Sequence, residues 1–326
     1  MELSRDLKSR FCKDNNLSIQ IFDEPYFSER LRLFGFDCEY DSFCDFITTK
    51  FDGNEQSYLQ EYNKIKDEII NHITNSSAYK HLNEANMNDY SVTNFPNVNM
   101  NGNIYKIPNV GKEFVSIDIT KANFSALVHY AKETNTEFFD SYDFEKFMEL
   151  FTNILHIRKS KYIRQVVFGK CNPKRQITYE KYLICNFLEN LLSTLSLDKN
   201  CVSVICSDEI VLDVTNFDID TIKKIKEFVV KHNEDKSSNN IPLHFEYFML
   251  GKILNTNAFI KKAYNDLDNK DIFEYVEKCA APIEIPFIYR KLNNEEMNEN
   301  DSVFYYEHKL AKLLEPLKVE ISFNNN

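Results

Sequence analysis

The chain has 326 residues, of which 43% are apolar, and its formal net charge is -11 at pH 7. This length and apolar content allow a sizeable core and suggest about two domains. The acidic balance excludes a protein that coats nucleic acid through its overall charge, so any contact with phosphate needs a local group of Lys and Arg.

Residues 1–110 are predicted to form a helical N-terminal region and a linker. Apolar side chains within residues 1–85 recur at spacings of three and four, as in Tyr58, Tyr62, Ile65 and Ile69, which predicts helices. Residues 91–111 are rich in Asn, Pro and Gly and have almost no charge, which predicts a loop. We therefore place a domain boundary after residue 110.

Residues 111–255 follow a different pattern, in which short β-branched runs alternate with helical periodicity. The predicted elements are a strand at 114–119, helices at 123–132, 143–167 and 179–195, a hairpin of strands at 201–206 and 210–214, a helix at 218–232, and a strand at 242–253. This order predicts an α+β fold, in which helices back an antiparallel sheet in a ferredoxin-like layout. Residues 256–326 are predicted to be helical again.

Two features predict where the protein is found. The eight cysteines include no Cys-x-x-Cys pair, which argues against a structural zinc or a disulfide framework and favours reduced thiols. The charged opening of the chain is unlike a signal peptide, and no apolar run reaches the length of a membrane span. We expect no membrane partner and a cytoplasmic location, including the cytoplasm of a virus- or phage-infected host.

Three acids stand at strand ends. Asp118 ends the strand at 114–119, and Asp208 and Glu209 occupy the hairpin tip about 90 residues later. Strand ends of one sheet can bring such acids together, and two Mg²⁺ ions at a phosphoryl-transfer site need carboxylates held on rigid backbone. The simpler alternative is that each acid is a solvated turn residue.

The segment 157–183 is strongly basic, and Glu180 is its only acid. Arg158, Lys161 and Gln165 have the three-and-four spacing of one helix face. Such a face would neutralise a triphosphate beside a carboxylate pair. An equal alternative is a solvated helix that balances acids elsewhere in the chain.

Three segments resemble motifs of family B DNA polymerases, and they occur in the family's order. KSKYIRQVVFGK (159–170) resembles the fingers motif, in which Lys is followed four residues later by Asn and then by an aromatic-Gly pair; Lys161, Gln165, Phe168 and Gly169 match, with Gln for Asn. SIDITKANFSAL (116–127) resembles the first palm motif and VICSDEIVLDV (204–214) the acidic hairpin motif, which places Asp118 and Asp208 on metal-binding positions. Together the three span about 100 residues, from 116 to 214.

The resemblance implies a right-hand palm with reduced fingers at 111–255, a thumb-like region at 256–326, and no proofreading exonuclease domain. It implies a nucleotidyltransferase that extends a primer 3′-hydroxyl with nucleoside triphosphates, with Mg²⁺ or Mn²⁺ held by Asp118, Asp208 and Glu209. The expected partners are a nucleic-acid primer and template, nucleoside triphosphates, and a protein. The implied nucleotide-binding residues are Arg158, Lys161, Gln165, Phe168, Gly169 and Asn123, and the implied nucleic-acid-binding residues are Arg164, Lys170, Lys174, Arg175, Lys252 and Lys261.

The sequence departs from the family at two points. The family's hairpin motif is Asp-x-Asp, whereas Asp208 is followed directly by Glu209, as in the adjacent acids of reverse transcriptases. Asn123 stands at the position of the family's sugar-checking Tyr. These departures leave a second hypothesis open, that of a catalytically degenerate palm that acts as a structural or nucleic-acid-binding accessory protein.

Overall fold

The structure, a computed structural model, describes residues 2–92, 95, 98–100, 102–235, 239–307 and 309–324, with the backbone alone for 99 and 100. Part of the predicted linker, at residues 93, 94, 96, 97 and 101, lies outside the described residues. No helix of the described chain is both long enough and apolar enough to cross a membrane. All eight cysteines are free thiols, as predicted.

The N-terminal region is helical, which confirms the prediction from its periodicity. Polar side chains cap three of these helices, since the Ser4, Asn54 and Ser76 side chains accept hydrogen bonds from backbone N–H groups three residues later. The helices are α1 (Arg5–Asp14), α2 (Tyr26–Phe34), α3 (Asp37–Lys50), α4 (Glu55–Asn75) and α5 (Ser77–Glu84).

The rest of the chain builds a mixed α+β unit. Its first part contains β1 (Asn99–Met100), β2 (Glu113–Ile119), α6 (Ala122–Glu133), α7 (Phe144–Met148), α8 (Leu155–Lys159), α9 (Lys161–Gly169), α10 (Pro173–Leu195), β3 (Val202–Ile205), β4 (Glu209–Asp213), α11 (Ile219–Glu234) and β5 (Leu243–Leu254). Its second part contains β6 (Phe259–Tyr264), β7 (Phe273–Lys278), α12 (Ile285–Leu292), β8 (Val303–Tyr306), β9 (Lys309–Lys312) and β10 (Glu320–Ser322).

The main sheet has the strand order β1-β3-β4-β2-β5-β6-β7, and β10 pairs with the end of β5. Every neighbouring pair is antiparallel except β1 and β3. The predicted α+β class and antiparallel sheet backed by helices are therefore confirmed. A separate two-stranded sheet is formed by β8 and β9.

Two predictions of secondary structure are wrong. The predicted helix at 143–167 is three short helices, because the side chains of Thr152 and Ser160 accept hydrogen bonds from the backbone N–H groups of Ile154 and Ile163 and end each preceding turn. The C-terminal region is mainly strands, with α12 as its one α-helix in the described residues. Pairing of β6 with β5 and of β7 with β6 outweighs the local helical pattern there.

The two faces of the main sheet have different surroundings. Along β2, Val115, Ile117 and Ile119 point to the side where α6, α10 and α11 supply the core, which we call the helix face. The alternate residues Phe114, Ser116 and Asp118 point to the opposite side, which we call the acid face. Phe114 belongs to a separate apolar cluster on the acid face, in which Phe248, Leu250 and Phe259 pack beneath Ile104 and Val110.

A single large core joins the N-terminal helices to the sheet. It contains side chains from α1 and α4, such as Leu7 and Tyr62, together with Ile117 of β2 and Leu188 of α10. The core therefore crosses the position at which the sequence predicted a domain boundary.

A buried charged cluster joins α2 to α12 and the segment before β8. The Asp301 carboxylate has no exposed surface and accepts hydrogen bonds from Arg30 (3.3 Å) and from the Arg290 Nε (2.5 Å). Arg290 also pairs with Glu295 at 2.9 Å. Because both guanidinium groups are nearly buried, Asp301, together with Glu295 beside Arg290, supplies the negative charge that compensates them.

Candidate active site

Strand register makes Asp118 and Glu209 direct neighbours. Asp118 of β2 is paired with Glu209 of β4 on one side and with His244 of β5 on the other. The Ile119 N–H donates to the Asp208 carbonyl at 2.8 Å, so the adjacent pair of Asp118 and Glu209 is the non-hydrogen-bonded kind, in which side chains lie closer. Two of the predicted acids, about 90 residues apart in the sequence, therefore meet on the acid face.

The hairpin tip places Asp208 differently from Glu209. The Cys206 N–H donates to the Glu209 carbonyl at 2.7 Å, which closes a two-residue loop of Ser207 and Asp208. The Ser207 hydroxyl donates to the Asp208 carboxylate at 3.0 Å. Because successive residues of a strand face opposite sides, Asp208 belongs to the side of Ile119 rather than to that of Asp118. Glu209, rather than Asp208, is thus the direct partner of Asp118.

The acids near Asp118 leave an excess of negative charge. Burial raises the pKa of the Asp118 carboxyl to about 6, against the opposing influence of His244. The charges of Glu209, Asp208 and Glu246 raise this pKa further, and that of Glu209 acts most strongly of the three. A bound divalent cation would relieve this repulsion, because it favours the ionised form of each carboxyl.

Sequence reasoning did not assign Ser116, His244 or Glu246 to the site, although they lie beside these acids. The Ser116 hydroxyl donates to the Glu209 carboxylate at 2.5 Å, and the Lys261 ammonium pairs with Glu246 at 2.5 Å. Lys261 is buried and lies 4.1 Å from the centre of the Phe248 ring, so its predicted role as an exposed nucleic-acid-binding residue needs correction. The period-two spacing of Ser116 with Asp118, and of His244 with Glu246, is the signal that places them on one face.

Asp118, Asp208 and Glu209 offer only carboxylate oxygens, and hard divalent cations such as Mg²⁺ prefer oxygen ligands. Among the described residues, no group of three or more His, Cys, Asp or Glu side chains is arranged to hold a metal ion. Glu209 is hydrogen-bonded to Ser116, and Asp208 to Ser207. A cation bridging the three acids would therefore require these side chains to change rotamer.

Several residues that the resemblance assigned to ligands instead hold the fold. Arg158 forms an ion pair with Glu149. Arg175 donates to the carbonyls of Leu82 (3.0 Å) and Ala85 (2.7 Å), and Lys252 donates to the carbonyls of Thr256 (2.7 Å) and Ala258 (2.8 Å). Phe168 is fully buried and packs against Phe124, so the expectation that its ring lines a base pair is corrected to a core role.

The remaining residues assigned to ligands are at least partly exposed. Lys161, Gln165, Gly169, Lys170 and Lys174 are exposed, and Asn123 and Arg164 are half-buried. Partial burial and the charges of Arg164 and Lys278 lower the pKa of Lys161. Lys278 ends β7 and was not expected from the sequence. The charges that act on Lys161 are thus cationic, whereas those that act on Asp118 are that of His244 and, after it, those of three acids.

A buried polar pair lies on α10 below the hairpin tip. Gln176 and Glu180 are one helical turn apart and almost fully buried. Within the described part of the chain, both polar atoms of the Gln176 amide and Oε1 of Glu180 have no hydrogen-bond partner. Burial, and secondarily the charge of Asp208, raise the pKa of Glu180 to about 8, so this carboxyl is mostly protonated at pH 7.

Glu180 should make the stability of the protein depend on pH. Its ordinary pKa is 4.5, so between 4.5 and about 8 the unfolded chain releases a proton that the folded chain keeps. Stability should therefore fall through this window, by roughly 2–4 kcal/mol from pH 5 to pH 9. Urea unfolding at several pH values should give a flatter profile for Glu180→Gln, and parallel profiles would contradict this assignment.

Comparisons with protein-family models, with curated proteins and with solved structures found no match.

Proposed function

We propose that this protein is a metal-dependent nucleotidyltransferase that extends a nucleic-acid 3′-hydroxyl with nucleoside triphosphates. The observation that carries the proposal is the pairing of Asp118 with Glu209 across neighbouring strands, beside Asp208 at the hairpin tip. The raised pKa of Asp118 adds support, because repelling carboxylates held on strands favour a shared cation.

The connectivity of the sheet supports a palm. β2, α6, α10, β3, β4, α11 and β5 occur in this order along the chain, with α7, α8 and α9 inserted between α6 and α10, and the spatial order of the strands is β3-β4-β2-β5. A strand-helix-strand-strand-helix-strand unit in this order is a ferredoxin-like layout, which is what the resemblance to family B polymerases implies. Of the three acids, Asp118 and Glu209 lie on the face away from the helices, whereas Asp208 lies on the side of Ile119.

The residues can be given separate tasks in this reaction. A Mg²⁺ or Mn²⁺ ion, when bound, would stabilise charge that develops on the transferred phosphate. Asp118 and Glu209 would hold it, and Ser116 would orient Glu209 through the hydrogen bond at 2.5 Å. Lys161 and Arg164 would attract the triphosphate, since phosphoryl transfer depends mainly on positioning and charge stabilisation.

Metal-dependent incorporation of a labelled nucleotide tests this proposal. The purified full chain is incubated with a primed template, each deoxy- or ribonucleoside triphosphate, and Mg²⁺, Mn²⁺ or a chelator. We expect the primer to lengthen with Mg²⁺ or Mn²⁺ and not with the chelator. No lengthening on DNA or RNA templates with either metal would overturn the proposal.

A second candidate is a palm without catalysis that binds nucleic acid as an accessory protein. Two observations favour it: Glu209 and Glu246 are already bonded to Ser116 and Lys261, and Phe168 is buried. In that case binding would weaken steeply with salt and would survive loss of Asp118. It would fall when the exposed Lys170 and Lys174 are replaced by Gln, because fewer counterions would be released.

A further inference from the structure

Asp14, the last residue of α1, connects three helices. Its carboxylate is largely buried, and its Oδ1 accepts hydrogen bonds from the Tyr62 hydroxyl of α4 (2.9 Å) and from the Ser160 hydroxyl (2.5 Å). The Ser160 hydroxyl in turn accepts a hydrogen bond from the Ile163 N–H at 2.9 Å, which caps α9. Asp14 thus fixes the orientation of the group that caps the first turn of α9.

A second set of contacts holds the same turn. The Arg10 guanidinium lies between two rings, 4.6 Å from the centre of Tyr62 and 4.8 Å from that of Tyr162. The Lys13 ammonium lies 5.7 Å from the centre of the Tyr162 ring. Tyr162 is the second residue of α9, so α1 contacts this helix from both the cap and the adjacent ring.

The first residue of α9 is Lys161, which is exposed beside Arg164 and Lys278. Its position depends on where the first turn begins, because the side chain of a first-turn residue follows the backbone that the cap fixes. The N-terminal helices therefore influence where Lys161 lies, although the sequence placed Lys161 in the 111–255 region and these helices in the 1–110 region.

We propose that Asp14 is a positioning residue that, through Ser160, places Lys161 to receive a triphosphate. The Asp14 Oδ1 accepts two hydrogen bonds, which restrain the Ser160 hydroxyl. The presence of an acceptor oxygen at this position therefore matters more than its charge. The inference rests on the proposed function only in taking a triphosphate as the ligand of Lys161.

The test combines local order with binding of inorganic triphosphate, measured on the full chain by calorimetry. Asp14→Ala should raise the Kd for inorganic triphosphate about fivefold to tenfold and speed amide exchange of Ile163 about tenfold. Asp14→Asn keeps an acceptor oxygen, so both values should stay within about twofold of the parent. Asp6→Ala, at an exposed acid of the same helix, is the matched control and should change neither value.

A pair of cap variants keeps the test decisive if Asp14→Ala does not fold. Ser160→Ala and Ser76→Ala each remove an N-cap hydroxyl, but of these two only Ser160 bonds to Asp14. Weaker triphosphate binding in Ser160→Ala alone supports the proposal. Equal effects of the two variants, an unchanged Kd in Asp14→Ala, or no triphosphate binding by the parent would overturn it.

Failure of this inference can be told apart from failure of the proposed function. Triphosphate binding that depends on Asp14, without any nucleotide incorporation, would support the positioning role and overturn the polymerase activity. Nucleotide incorporation by a protein whose affinity for triphosphate is unchanged in the Asp14 and Ser160 variants would support the polymerase activity and overturn the positioning role.

Discussion

Replacing Asp118 by Asn should lower the rate of metal-dependent nucleotide incorporation by at least about a thousandfold, because in the proposed reaction Asp118 supplies a charged oxygen ligand to the metal ion. Asn keeps the size of the side chain and its place between Glu209 and His244, so the loss should appear in kcat more than in nucleotide affinity. Primer-extension rates at saturating nucleotide give the measurement. Glu227→Gln, an exposed acid of α11 on the opposite side of the sheet, should retain the parent rate.

The same variant should be more stable than the parent in the absence of metal. The pKa of Asp118 is raised to about 6, so at pH 7 the ionised carboxylate opposes folding. Because this carboxyl is only partly buried, we expect Asn to add ~1–2 kcal/mol to the free energy of unfolding at pH 7. The gain should vanish near pH 4, where the carboxyl is protonated in the folded chain. A less stable variant at pH 7 would contradict the idea of mutually repelling acids.

Removing the Asp301 carboxylate should have the largest effect on stability. Asp301→Ala removes the carboxylate shared by Arg30 and Arg290, which leaves the nearly buried Arg30 without its ion-pair partner and Arg290 with Glu295 alone. The Asn298 N–H, which donates to the Asp301 carboxylate at 2.7 Å, also loses its acceptor. A buried charge left without compensation typically costs ~3–5 kcal/mol, so the free energy of unfolding should fall by about that amount.

A matched exposed ion pair provides the control for Asp301. Lys312 and Glu299 are 3.7 Å apart and mostly exposed, so Lys312→Ala should change stability by less than ~1 kcal/mol. Urea unfolding of both variants at constant pH gives the comparison. If Asp301→Ala and Lys312→Ala lowered stability equally, the buried cluster would not be a major contributor to the fold.

The sequence predicted much of the sheet because its signals there are local. The β-branched run around Asp118 and the two runs flanking Asp208 and Glu209 each fit one strand, and all three strands form as expected. Which acid faces Asp118 could not be predicted, because a shift of one residue in register exchanges the two faces of a strand. The hydrogen bonds of the hairpin loop settle this in favour of Glu209.

Other features depended on partners far away in the sequence. The strand at Phe259–Tyr264 forms because β5 offers it an edge, and the residue pattern alone gave no indication of that edge. The sequence shows no partner for Lys261, which comes to lie buried beside Glu246 only because β6 pairs with β5. The same holds for Arg175, whose carbonyl partners at Leu82 and Ala85 are 93 and 90 residues away.

The core shared by the N-terminal helices and the sheet limits how this protein can be divided. The His72 ring of α4 packs 5.7 Å from the Phe147 ring of α7, and the Ala78 N–H donates to the Glu137 carbonyl at 3.2 Å. An excised 111–255 piece would lose these neighbours and would expose the apolar surfaces that they cover. Cleavage within the Asn-rich linker should therefore leave two fragments that stay associated through a gel-filtration column, and the excised 111–255 piece would be a poor choice for expression on its own.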